Sequence, residues 1–202
     1  MDLASLEVLP IHKHSEYMTQ CCQLINDEWP RSETARMTSL KSSCDKLPTS
    51  LILLTPAKIV IGHCKLTAIP SLPESCFIES VVINKALRGK KLGTYLMTKA
   101  EEYCKYILLL KTVHLSTKGQ DEFYAKLGYE PCAPVSIYGS FFPLNNKCNS
   151  ISHKDDPTKI LNNCYDSATK PNQPPPPPPM PKLDIQIINN VQINKTFMFK
   201  YL

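Results

Sequence analysis

Residues 81–103 read VVINKALRGKKLGTYLMTKAEEY, and this stretch changes character midway. Val81, Val82 and Ile83 are a β-branched run of the kind that favours a strand. From Leu92 onward the apolar residues fall at Leu92, Tyr95, Leu96, Ala100, Tyr103 and Cys104, which share one face of a helix. Between the two lies Arg88-Gly89-Lys90-Lys91-Leu92-Gly93, a turn that carries three cations and two glycines. Glycine permits close backbone approach and unusual dihedrals. The first turn of a helix offers free N–H groups and the positive end of the dipole. Strand, basic turn and helix together make a cradle for a phosphate or pyrophosphate. The alternative is a surface turn with solvated lysines. The spacing matches neither G-x-x-x-x-G-K-[ST] nor G-x-G-x-x-G.

Working outward, SLEVLPIH reads as a first strand, and residues 15–28 and 33–43 as helices. SLILLT and KIVIGHCKLTAI read as a hairpin, and SCFIESVVIN as a fourth strand. Residues 91–107 form a helix, KTVHLST a fifth strand, and 119–127 another helix. VSIYGSFF, 135–142, and KTFMFKYL, 195–202, are expected to be the last two strands. A meander followed by a strand–helix–strand unit predicts an α/β (α+β) domain with a mixed central sheet of about seven strands. The domain is expected over 1–144, closed by a final strand at 195–202. Residues 145–194, polar and proline-rich, read as a loop inserted between strands, because strand periodicity resumes after them.

Composition narrows the function classes. The chain has 202 residues, 23 Lys+Arg against 18 Asp+Glu, and a net charge of +5. That excess is too weak to imply nucleic acid, though it suits an anionic ligand or an acidic partner. No apolar run approaches the ~18 residues of a membrane helix, and the first residues lack a secretory pattern. A cytoplasmic monomer without membrane association is expected. The nine cysteines are scattered, with no C-x-x-C pair, so buried free thiols are expected and a metal is not.

Arg88-x-x-Lys91-x-Gly93 resembles the coenzyme A pyrophosphate loop of the GCN5-related N-acetyltransferase superfamily, whose pattern is Q/R-x-x-G-x-G/A. Lys91 stands where that family usually has its middle glycine. DEFYAKLGYEP, 121–131, is similar to the family's FYEKLGF segment after the fifth strand. The resemblance implies acetyl-CoA as cofactor, with its pyrophosphate held by Arg88, Gly89, Lys90, Lys91, Leu92, Gly93 and Thr94. It implies thioester contact by backbone N–H near Val81 and Val82, and a thiolate-protonating acid at Tyr124. Within the superfamily, LINDEWPRS, VVINKALRGKKLG, HLSTKGQDEFYAKLGY and the late proline run resemble the N-terminal acetyltransferases that act on actin. That likeness implies acetylation of actin's processed acidic N-terminus, and a proline segment that binds profilin.

Acetyl transfer needs a neutral amine, a stabilised oxyanion and a proton for the leaving thiolate. An α-amino group of pKa ~7.7–8.0 is already partly neutral near pH 7.5, so a modest base suffices. Glu79 and His114, on the fourth and fifth strands, are the candidates; each could equally be a paired strand residue. The alternative for Tyr124 is a core aromatic on a helix, against which the family motif points. EWPRSETAR places Trp29, Arg31, Ser32 and Arg36 together. An aromatic wall suits an extended peptide, and arginine forks suit Asp or Glu side chains. Pro174, Pro175, Pro176, Pro177, Pro178 and Pro179, extended by Met180 and Pro181, make a polyproline II rod of the kind read by aromatic grooves. Such a rod could also be a stiff spacer. Two further readings stay open: an interaction module on an acetyltransferase-like scaffold, and acetylation of a small amine.

Overall fold

The computed structural model describes residues 2–138 and 195–202. The chain runs β1 (Glu7–Pro10), α1 (Met18–Glu28), α2 (Glu33–Lys41), β2 (Thr49–Leu54), β3 (Val60–Ala68), β4 (Ser75–Ile83), α3 (Leu92–Tyr106), β5 (Thr112–Thr117), α4 (Asp121–Lys126), β6 (Glu130–Pro131) and β7 (Thr196–Tyr201). The strands form one seven-stranded mixed sheet in the order β1-β2-β3-β4-β5-β7-β6. Every pairing is antiparallel except β4–β5, which is parallel. A parallel pair needs a crossover, and α3 supplies it.

Alternation along the strands sends side chains to two cores. Leu51 and Leu53 of β2, with Cys76, Ile78, Val113 and Leu115, meet Leu92, Leu96, Met97, Ala100 and Cys104 of α3. Ile52 and Leu54 face the other way, onto Cys21, Cys22, Leu24 and Ile25 of α1 and Leu40 of α2. Both faces of β2 are therefore covered, and all six of its residues are buried. At ~25 cal/mol per Å² of apolar area, each such Leu or Ile contributes ~1.5–3 kcal/mol. Cys21, Cys22, Cys64, Cys76 and Cys104 are buried free thiols. Among the described residues no helix is long and apolar enough to cross a membrane.

One expected strand is corrected. Residues 135–138 take no strand conformation, and 139–142 lie outside the described residues. The sixth strand comes earlier and is short: Glu130 pairs with Phe199 and Pro131 with Met198. Pro131 has no N–H to extend a ladder. The Cys132 N–H still donates to Phe197 O at 2.9 Å, just before Pro134 restricts the chain again. The proline run, Pro174–Pro181, and the contacts expected of it also lie outside the described residues.

Candidate active site

The parallel pair sets up the site. β4 and β5 are in register from Ser75/Thr112 to Ile78/Leu115 and then part. β4 continues to Ile83 and β5 to Thr117 without pairing, which opens a wedge in the sheet. A bulge adds to it. Between the β3 pairs His63/Val82 and Lys65/Glu79, β3 advances two residues and β4 three. Ser80 takes up the difference at φ +53°. Bulges of this kind re-aim the groups that follow them. The Asn84 N–H to Ile61 O bond sets the phase of the β3–β4 ladder. It makes His63 and Val82 the next hydrogen-bonded pair, so the Val82 amide is turned to β3. The Val81 and Ile83 amides are turned to the side where β5 has left.

A cleft of about 790 Å³ opens at this wedge. Val81, Val82 and Ile83 form its floor. Arg88, Gly89, Lys91, Leu92, Gly93 and Thr94 form one wall, Glu28 and Trp29 a second, and Lys118, Gln120, Phe123 and Tyr124 a third. The first wall has the features of an anion cradle. Gly89 has φ +80°. Lys91, directly before α3, is left-handed at φ 60°, ψ 11°. It thus takes the conformation glycine adopts without strain, at a cost of ~1–2 kcal/mol for a residue with a Cβ. The first amide of α3 with an acceptor is Tyr95, on Lys91 O at 3.0 Å. Among the described residues the N–H groups of Leu92, Gly93 and Thr94 are the unpaired amides of the helix end. A Cβ on Gly93 would sit 3.4 Å from the Phe123 ring, so any larger side chain there would crowd the wall against α4. Free amides, a helix dipole and nearby cations fit a pyrophosphate. Lys90 is exposed beside the loop and is not part of the cleft lining.

Arg88 does something the sequence did not suggest. Its guanidinium donates to Glu28 Oε2 at 2.7 Å and to Ile83 O at 3.1 Å. Lys85 adds a bond to Asp27 O at 2.8 Å and approaches Glu28 at 3.6 Å. The Arg88 hydrogen bond holds the Glu28 carboxyl below the usual carboxylate range. Glu28 ends α1, so the pair fastens the end of that helix to the basic loop. Trp29 follows, 44% exposed, with its N–H on Ile25 O at 2.9 Å. Arg36 donates to Asn26 Oδ1 at 3.1 Å and to Trp29 O at 2.8 Å, clamping α2 to the end of α1. Ser32 caps α2, accepting from the Ala35 N–H. Arg31 is exposed on the same connection.

Tyr124 lies against the cleft, edge-on to Phe123 and Tyr129. Burial pushes its hydroxyl up to about 12, with the Cys64 thiol adding to the shift. Like any tyrosine it is a protonated donor at neutral pH, and burial keeps it so well into the alkaline range. Glu79 and His114 stand outside the cleft lining. The Glu79 carboxylate accepts from Thr67 Oγ1 at 2.7 Å and pairs with Lys65 at 3.2 Å. His114 stacks on Phe199 at 5.8 Å, and burial lowers its pKa. Glu28, Ile83, Lys118, Gln120 and Phe123 are cleft residues that sequence reasoning missed. Glu28 and Phe123 each stand beside a residue that it singled out, and that adjacency was the available signal.

A parallel pair that splays above a bulge, with a basic glycine turn at the head of the crossover helix, forms an open cleft suited to a phosphate-bearing ligand. The model of the acetyltransferase (GNAT) family matches residues 18–129, and the chain belongs to that family. It is 40% identical over 126 residues to N-alpha-acetyltransferase 80 of Mus musculus. That match covers 59% of this chain and only 40% of the mouse protein. Among solved structures the fold resembles a GNAT-family acetyltransferase from Staphylococcus aureus Mu50, with TM-score 0.56, 12% identity, and coverage of 98% of this chain and 99% of that one. It also resembles the Vibrio cholerae spermidine N-acetyltransferase solved with CoA and spermine, with TM-score 0.55, 18% identity, and coverage of 64% and 83%.

Proposed function

We propose that the chain is an N-terminal acetyltransferase that uses acetyl-CoA, and that its acceptor is the acidic processed N-terminus of actin. The observation that carries this reading is the single cleft that joins the Arg88–Thr94 cradle to the Trp29 wall across the parted β4–β5 strands. The 40% identity to a curated N-alpha-acetyltransferase supports an α-amine as acceptor. When bound, acetyl-CoA supplies an activated thioester acetyl group. The residues of the chain do the rest. The amides of Leu92, Gly93 and Thr94 would hold the cofactor's phosphate oxygens, and the Val81 N–H is the donor that would face its acetyl carbonyl. Tyr124 holds a proton where a leaving thiolate would need one. Glu79, oriented by Thr67 and Lys65, is the carboxylate beside the bulge that would draw a proton from the amine through water. Arg31, exposed on the connection that follows Trp29, and Lys118, in the cleft lining, are the cations that would meet acidic side chains following the α-amine. Arg36 serves them by holding Trp29.

Pro174–Pro181 completes the proposal as the segment that recruits profilin, and with it the acceptor, in the cytoplasm. The experiment that tests the chemistry offers acetyl-CoA and two peptides of the same acidic sequence, one with a blocked α-amine and a free lysine. Mass spectrometry should find acetyl on the α-amine alone. Acetyl on the lysine at equal rate would refute the α-amine assignment.

A further inference from the structure

We propose that His63 is a positioning residue for this site: its ring holds the β4 bulge at Ser80, and the bulge presents the Val81 amide to the cleft. The proposal rests on the acetyltransferase reading for its functional consequence, and on geometry alone for the structural one.

His63 lies on β3, 1% exposed, opposite Val82. Its Nδ1 is 3.1 Å from Ser80 O. A carbonyl can only accept, so Nδ1 carries the proton and Nε2 is a bare acceptor. Nε2 is buried and has no hydrogen-bond partner among the described residues. An unmatched buried acceptor is unfavourable, and a leucine or phenylalanine would fill the space without one. Packing therefore does not explain an imidazole here. The Nδ1–H bond does.

The partner carbonyl belongs to the residue that makes the site irregular. Ser80 is left-handed at φ +53°, a conformation that a residue with a Cβ holds only when its surroundings impose it. That turn takes the Ser80 carbonyl out of the ladder, toward the side where the His63 ring lies. Without the ring the carbonyl loses its donor, and β4 can relax toward a regular strand. Relaxation would shift the residues after the bulge by one position relative to β3. A one-residue slip reverses which side each group faces, and the Val81 amide would turn off the cleft. His63 is not part of the cleft lining; it acts through Ser80.

Three variants of the full chain separate these roles. His63→Asn keeps a donor near the Nδ1 position, His63→Gln places its amide near Nε2, and His63→Leu keeps only volume. Hydrogen exchange of the Val81 amide is measured without ligand, and kcat and KM are measured on an acidic N-terminal peptide. The Leu and Gln variants should change Val81 exchange and lower kcat by about tenfold or more, the effect of misplacing an oxyanion donor, with little change in peptide KM. The Asn variant should restore both readouts. Wild-type exchange and kcat in His63→Leu would overturn the proposal, as would rescue by Gln equal to rescue by Asn. If His63→Leu does not fold, the Asn–Gln comparison decides alone. A wild-type protein that acetylates no α-amine would remove the functional reading, while Val81 exchange would still show whether the ring holds the bulge.

Discussion

Burial acts differently on Tyr124 and His63: it leaves the tyrosine hydroxyl protonated, as an exposed one is at neutral pH, and keeps the imidazole neutral into the acid range. Tyr124→Phe removes only a hydroxyl that burial has pushed up to about 12. The variant should fold and bind acetyl-CoA like the wild type but turn over ~10²-fold more slowly, the usual size of a general-acid contribution. Steady-state kinetics check this, and an unchanged kcat would make Tyr124 a packing residue. For His63, burial lowers the ring from 6.5 to about 4. Arg36 and Lys65 oppose its charge and Glu79 favours it, while the bond to Ser80 O also raises the pKa. The unfolded chain therefore binds the proton more readily than the folded one, so stability is highest above pH 6.5 and falls as pH drops from 6.5 toward 4. The loss should reach ~3 kcal/mol at the low end, since each pKa unit is worth about 1.4 kcal/mol. Urea titrations of wild type and His63→Phe at several pH values check it: wild type should lose more stability on acidification, and parallel losses would count against the buried neutral ring. Tyr124 was singled out in the sequence through its FYAKLGY segment, whereas the role of His63 was not legible there. His63 sits in KIVIGHCKLTAI with nothing to distinguish it from any polar residue of a strand, and the bulge that gives it a partner arises from a register mismatch with β4, seventeen residues on.

The elements were more readable than their couplings. The β4–α3 handover could be recognised because a β-branched run, a glycine turn and a helical apolar face each announce themselves locally, and α1, α2 and the β2–β3 hairpin did so as well. The β6 strand could not, because two residues carry no periodicity and Pro131 argues against a strand. Its pairing comes from β7, which returns from far along the chain. The Glu28–Arg88 pair was hidden for a similar reason: it joins residues sixty positions apart, and each has an ordinary local explanation. It nevertheless ties the end of α1, which carries Trp29, to the loop that opens α3. Glu28→Gln keeps the shape and removes the charge. Both side chains are partly exposed, so the pair contributes under ~1 kcal/mol to stability and Tm should barely move. The acceptor wall should loosen, raising peptide KM about threefold or more with kcat nearly unchanged, the pattern of lost uniform binding. If KM is unchanged, the pair is an ordinary surface contact.

For the molecule as a whole, the proposed function has one cleft match an anionic donor on one wall to an acidic acceptor on another, with the proline segment delivering the acceptor. The proline run was visible in the sequence, and it lies outside the described residues. If it is a tether, replacing Pro174–Pro179 with Gly and Ser at equal length should leave acetylation of a short peptide unchanged and slow acetylation of actin presented on profilin. A tether raises local concentration without touching the reacting atoms. Equal slowing of both substrates would place the segment in support of the site instead. The most direct measurement of the central claim is the initial rate of acetyl transfer from acetyl-CoA to peptides that differ only in their first residues, alongside spermidine, at low and physiological salt. Peptides that begin with consecutive Asp or Glu should be acetylated fastest. Their advantage should shrink as salt rises, because exposed charges such as Arg31 and Lys118 are screened over ~8 Å at physiological ionic strength. Equal rates for acidic and neutral peptides at low salt, or a faster rate on spermidine, would contradict it.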